Sequence, residues 1–132
     1  MVGLLERFRK KTDQTVIHTS RAMSELEQLC GDDKQMYEAL HHTMFLDPRK
    51  IGASMKDAAE NAKKFAKEKN LYRARIWYDI AGGLAIYEGD VKRVVEFFSE
   101  SQKISGLKYP ILDDAEKAVA KAQEYYKKHL KS

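Results

Sequence analysis

The chain has 132 residues, of which 24 are Lys or Arg and 20 are Asp or Glu, giving a formal net charge of +4. This length favours a single domain over residues 1–132 with one core. With 43% apolar and 33% charged residues, the composition is typical of a globular chain and excludes a disordered or fibrous one. No run of about 18 apolar residues occurs, so we expect no membrane contact. The single cysteine, Cys30, cannot form an internal disulfide, which favours a cytoplasmic location.

The N-terminal third of the chain contains three amphipathic stretches. Residues 4–11 predict a short helical segment, and residues 16–30 predict a longer one with helical spacing of its apolar positions. Asp32 or Asp33 can cap a third helix. That helix should end at Asp47-Pro48, because the residue before a proline is pushed out of the helical region.

The next predicted helix begins where Ser54 and Asp57 form a capping box. Its apolar positions fall on one stripe, which comprises Met55, Ala58, Ala59, Ala62, Phe65 and Ala66. The alanines of this stripe would allow a neighbouring helix to approach closely. A basic patch lies elsewhere on its surface and comprises Lys56, Lys63, Lys64 and Lys67.

Residues 71–88 predict the helix around which the rest of the chain packs. Asn70 can cap its start, and Gly89 can end it in a left-handed conformation. Apolar and small residues occupy nearly every side of this helix, which is typical of a helix buried by several neighbours. Polar side chains interrupt the pattern mainly at Arg73, Arg75, Asp79 and Glu88.

Two further helices complete the predicted fold. Asp90 can cap one over residues 91–105, and Asp113 or Asp114 can open the last one after a loop at residues 107–112. No strand pattern occurs, and short connections make successive helices antiparallel neighbours. We therefore predict an all-α bundle of five or six helices around a buried central helix.

Residues 74–106 contain small and aromatic residues at defined positions of two successive predicted helices. It comprises Tyr78, Ala81, Gly82 and Ala85 on one helix, a Gly89-Asp90 turn, and Val94, Phe98 and Ser101 on the next. This pattern resembles the tetratricopeptide repeat (TPR). The resemblance implies a helical hairpin in which Gly82 lets the partner helix approach and Phe98 fills the space between the two helices. It also implies binding to a peptide or another protein.

The candidate binding residues lie on the central helix. Arg75 and Asp79 are four residues apart and can pair on one helical face. A charge on a buried helix has to be paired, exposed at an edge or used to bind a ligand. We therefore take Arg73, Arg75, Tyr78 and Asp79 as candidate partner- or ligand-binding residues, with a structural ion pair as the alternative.

The sequence predicts no catalytic site, no metal site and no cofactor. Glu38 and His42 share a helical face, but they provide fewer ligands than zinc requires. Cys30 has no base nearby along its helix, since His18 lies about three turns away, and we expect a structural thiol.

These observations predict a non-catalytic protein-interaction or scaffolding module. Its partner would be a protein or peptide, or a second copy of the chain. The alternative is a nucleic-acid-binding protein that uses the basic faces of residues 1–11 and 56–75. An enzyme or a small-ligand carrier with a pocket beside Arg75, Tyr78 and Asp79 is a third class.

Overall fold

A computed structural model describes residues 19–44 and 47–130 of the chain. The helices in this part are α1 (Thr19–Cys30), α2 (Lys34–Thr43), α3 (Met55–Lys67), α4 (Leu71–Glu88), α5 (Val91–Ser105) and α6 (Ala115–His129), with short 3₁₀ helices at Pro48–Lys50 and Pro110–Asp113. No strand occurs among these residues, and the predicted all-α class is confirmed. The predicted segment at residues 4–11 and the start of the one at residues 16–30 lie outside the described part.

The helix starts and ends follow local chemistry. In α2 to α6 the residue before the helix accepts a hydrogen bond from a backbone N–H three residues on; these residues are Asp33, Ser54, Asn70, Asp90 and Asp114. Gly89 and Gly106 follow α4 and α5 with φ of 77° and 71°, a conformation that glycine adopts without steric cost. The predicted boundaries of α4 and α5 are thus confirmed.

The end of α2 differs from the prediction. The helix ends at Thr43, and not at the Asp47-Pro48 step. The carboxylate of Asp47 instead accepts from the backbone N–H of Arg49 at 3.0 Å and from its guanidinium at 2.9 and 3.1 Å. These bonds lower the pKa of Asp47 and give the chain around Pro48 a separate short helix.

Helix α4 occupies the centre of the bundle, with α3 packed along one side and α5 along the other. The α3 side depends on small residues, since Ala58 and Ala62 are fully buried. Buried alanines let two helix axes approach closely. The close α3–α4 packing expected from the alanine stripe is therefore present.

The α4–α5 hairpin is packed through Gly82 and Phe98. A Cβ atom added to Gly82 would lie 2.5 Å from Cζ of Phe98, whose side chain is 1% exposed. The neighbouring Gly83 is different, because the nearest atom to an added Cβ is the carbonyl oxygen of Thr43 at 3.9 Å. Gly82 therefore allows the approach of Phe98, as the sequence predicted.

The burial of α4 is uneven along its length. Its second half is covered by α2 and α6: the rings of Tyr87 and Tyr126 lie 5.0 Å apart, and the side-chain amide of Gln123 donates to the carbonyl of Tyr87 at 2.9 Å. Its first turns are less covered, and Tyr72 and Ile76 are 76% and 39% exposed. The central helix therefore presents an apolar surface at its N-terminal end.

Candidate functional site

A polar cluster joins α4 to the loop before α6. The Nε atom of Arg75 donates to the hydroxyl of Tyr109 at 3.1 Å, and this hydroxyl donates to Oδ1 of Asp79 at 2.8 Å. Arg75 and Asp79 also approach directly, with 3.8 Å between Nε and Oδ2. The backbone N–H of Tyr109 donates to the side chain of Gln102 at 3.0 Å. The predicted Arg75–Asp79 pair exists, and Tyr109, in the predicted loop at residues 107–112, links its two members.

Burial dominates the electrostatics of Asp79. Desolvation raises the pKa of its carboxyl group, although Ser101, Tyr109, Arg75 and His42 all act to lower it. The hydroxyl of Ser101 is fully buried and makes no hydrogen bond of ordinary geometry with a described residue. The hydrogen bonds of this cluster therefore connect the loop to α4. Burial of the ionised Asp79 carboxylate lowers the stability of the folded protein.

The other two predicted site residues lie elsewhere. Tyr78 is buried with its ring centroid 6.4 Å from that of Phe97 on α5, and burial raises the pKa of its hydroxyl. The guanidinium carbon of Arg73 lies 5.6 Å from the ring centroid of Phe65 on α3, which is a cation–π contact. The four predicted residues are thus distributed over three places.

Arg73 lines an apolar groove between α3 and α4. This groove, called here the α3–α4 groove, has a volume of about 430 Å³ and is lined by Asn61, Phe65, Arg73, Ile76, Trp77 and Ile80. The α4 residues lie at positions i, i+3, i+4 and i+7, which places them on one helical face. Within residues 19–44 and 47–130, α2 and α6 reach only the second half of α4, and no described element covers this face beside Phe65. Sequence reasoning missed it because the same residues fit a fully buried helix.

The predicted basic patch lies on the exposed side of α3. Lys56, Lys63, Lys64 and Lys67 are all exposed. Helical spacing places Glu60 in the row of Lys56, Lys63 and Lys67, and it places Asp57 and Glu68 in the row of Lys64. Carboxylates therefore interrupt both rows of lysines.

A second groove lies between the N-terminal ends of α2 and α6. It has a volume of about 360 Å³, and its lining includes Asp33, Lys108, Asp113 and Lys117. The ammonium of Lys117 lies 2.9 Å from the carboxylate of Asp33, and Lys108 lies 3.3 Å from Asp113. Four charged side chains of this groove are thus paired with one another.

His42 and Cys30, the candidates for metal binding and nucleophilic chemistry, are packed against other side chains of the fold. The ring of His42 meets Tyr109 edge-on, with centroids 5.0 Å apart. Cys30 is buried, and this burial raises the pKa of its thiol, which disfavours the reactive thiolate. Within residues 19–44 and 47–130, no group of three or more His, Cys, Asp or Glu side chains is placed to hold a metal ion.

Comparisons with protein-family models, with curated proteins and with solved structures found no match to this chain. In the described part of the chain, no helix is both long enough and apolar enough to cross a membrane. The functional argument therefore depends on the surfaces that the residues themselves create.

Proposed function

We propose that the chain is a non-catalytic protein-interaction module that binds a protein or peptide through the α3–α4 groove. The observation that carries this proposal is the open apolar face of α4 beside Phe65. Trp77 and Arg73 line it, and the strongly exposed Tyr72 lies one turn before Ile76. Trp, Tyr and Arg are the residue types that contribute most binding energy at protein interfaces.

The α4–α5 hairpin gives independent support to this interpretation. The contact of Gly82 with Phe98 is the packing expected from the TPR resemblance. A TPR-like hairpin is a scaffold that commonly presents a surface to a peptide. Our proposal therefore includes that residues 74–106 form a TPR-like helical hairpin.

The polar cluster supports a structural role better than a binding role. Tyr109 already partners both Arg75 and Asp79, and a ligand at either residue would have to displace it. The nucleic-acid alternative receives less support from α3, because carboxylates lie among its lysines. Uninterrupted cationic rows are what a phosphate backbone favours.

Photo-crosslinking tests the proposed surface. A photoreactive phenylalanine derivative replaces the exposed Tyr72, one turn before Ile76 of the groove, or, as a matched control, the exposed Glu116 on α6. After irradiation in cell extract, we expect defined protein adducts from position 72 that do not form from position 116. The additional change Ile76→Arg should abolish them, because a cation would stand in the apolar groove.

The control for this experiment is the thermal melt of each variant. Ile76 is 39% exposed, so its replacement should leave the fold intact. Identical adducts from positions 72 and 116, or adducts that persist with Ile76→Arg, would show that the α3–α4 groove is not the binding surface.

A further inference from the structure

The backbone on both sides of the α3–α4 groove restricts the shape of its occupant. Both walls are α-helices, whose interior N–H and C=O groups are already paired within the helix. Such walls offer no free edge to which an extended peptide could add as a strand. An occupant that buries its backbone here must satisfy its own hydrogen bonds, as a helix does.

The side chains in the groove favour an amphipathic helix. Ile76, Trp77 and Ile80 form an apolar wall at helical spacing, opposite Phe65. Ridges at this spacing accept the side chains of a second helix between them. The occupant should therefore carry apolar residues at positions i, i+3, i+4 and i+7.

The charge around the groove favours an acidic occupant. Among the described residues that line the groove, Arg73 is the one with a charged side chain. Other charges of residues 56–75 add little to it, because Arg75 contacts Tyr109 on the other side of α4, and Asp57 and Glu68 share the helical row of Lys64. Carboxylates on the flank of a docked helix would be attracted to the guanidinium of Arg73.

We infer that the α3–α4 groove binds an amphipathic helix whose apolar face is flanked by acidic residues. This inference rests on the proposed function and names the chemistry of the partner. A symmetric contact of two copies through this groove fits less well, since it would bring the two Arg73 side chains together. Nucleic acid also fits less well, because Arg73 already covers the ring of Phe65 on which a base would stack.

Selection from a displayed peptide library tests the inference. Each peptide is a helix with leucines at i, i+3, i+4 and i+7, while the flanking positions vary among Glu, Gln and Lys. The full chain is the immobilised target. We expect the enriched peptides to carry Glu at the flanks.

Two charge-reversal variants then test whether Arg73 attracts the enriched acidic peptides. Arg73→Glu should weaken the enriched acidic peptides by about tenfold or more. Lys92→Glu on α5, which changes an exposed lysine outside the groove, should leave their affinity within about twofold. The affinity for the unmodified chain should also fall as salt is raised.

Four results would overturn the inference, and they separate it from the proposed function. If neutral or basic peptides are enriched and Ile76→Arg abolishes their binding, the groove is a binding surface, but its partner is not an acidic helix. Enriched peptides insensitive to Ile76→Arg would remove the groove from both proposals. A selection without enrichment would overturn the helical occupant, while the crosslinks from position 72 separately test the surface. Dimerisation abolished by Ile76→Arg would identify a second copy as the occupant.

Discussion

Replacement of Gly82 by alanine should destabilise the protein by about 1–3 kcal/mol, whereas the same replacement at Gly83 should stabilise it by roughly 0.5–1 kcal/mol. At Gly82 the new Cβ would meet three ring atoms of Phe98 at 2.5 to 2.7 Å. Phe98 is buried and cannot move aside without disturbing the core. At Gly83 the nearest atom is 3.9 Å away, so only the gain in helix propensity remains. Urea unfolding of both variants measures the two changes.

A compensating substitution provides the control for this pair. Phe98→Leu should cost stability by itself, because it removes apolar contacts from the core. Combined with Gly82→Ala it should cost much less than the sum, since the smaller side chain makes room for the new methyl group. Equal effects of alanine at Gly82 and Gly83, or strict additivity in the double variant, would contradict the packing described for α4 and α5.

Replacement of Tyr109 by phenylalanine should destabilise the protein by about 1–3 kcal/mol at pH 7, because the Asp79 carboxylate loses its shortest hydrogen bond inside the protein. The loss should depend on pH. Burial raises the pKa of Asp79 in the folded protein, so its favourable contribution is full below the unfolded pKa of about 3.9 and is lost as pH rises through the folded pKa. Without the tyrosine hydroxyl the folded pKa rises further, so the variant should lose additional stability as pH rises from the folded pKa of the unmodified protein to that of the variant.

The control for this pH dependence is Asp79→Asn. In this background no carboxylate titrates at position 79, so the cost of Tyr109→Phe should become independent of pH across the acidic range. Thermal melts from pH 3 to pH 7 give the comparison. A cost of Tyr109→Phe that is the same at all pH values in the unmodified background would show that Asp79 is not the group that the hydroxyl supports.

The helix boundaries could be predicted because they depend on neighbouring residues. Asn70 and Asp90 bond to the backbone three residues on, and Gly89 ends α4 by its own conformation. Gly82 could be paired with Phe98 because the TPR pattern specifies that contact. The end of α2 was predicted too late because the short helix capped by Asp47 was not foreseen.

The candidate site was predicted less well, for a geometric reason. Arg73 and Arg75 are close in sequence, but successive residues turn by about 100° around a helix. They therefore point to nearly opposite sides, one to Phe65 and the other to Tyr109. This divergence could have been foreseen from the spacing alone. The role of Tyr109 could not, since its partners lie 30 and 34 residues away along the chain.

The exposure of the α3–α4 groove also depends on tertiary structure. The apolar spacing of Ile76, Trp77 and Ile80 is visible in the sequence, and it fits a buried helix and an open binding face equally well. The two are distinguished by where α2 and α6 lie against α4. Both helices reach the second half of α4, as the contacts of Gly83 and Tyr87 show.

The fluorescence of Trp77 tests the proposed surface most directly, because it is the only tryptophan of the chain and lines the groove. A tryptophan-free acidic helical peptide, added to saturation, should shift the emission to shorter wavelength and reduce quenching by acrylamide. Both changes should disappear in the Ile76→Arg variant. Saturable binding, measured independently by calorimetry, that leaves the emission and quenching of Trp77 unchanged would contradict the assignment of the α3–α4 groove as the binding surface.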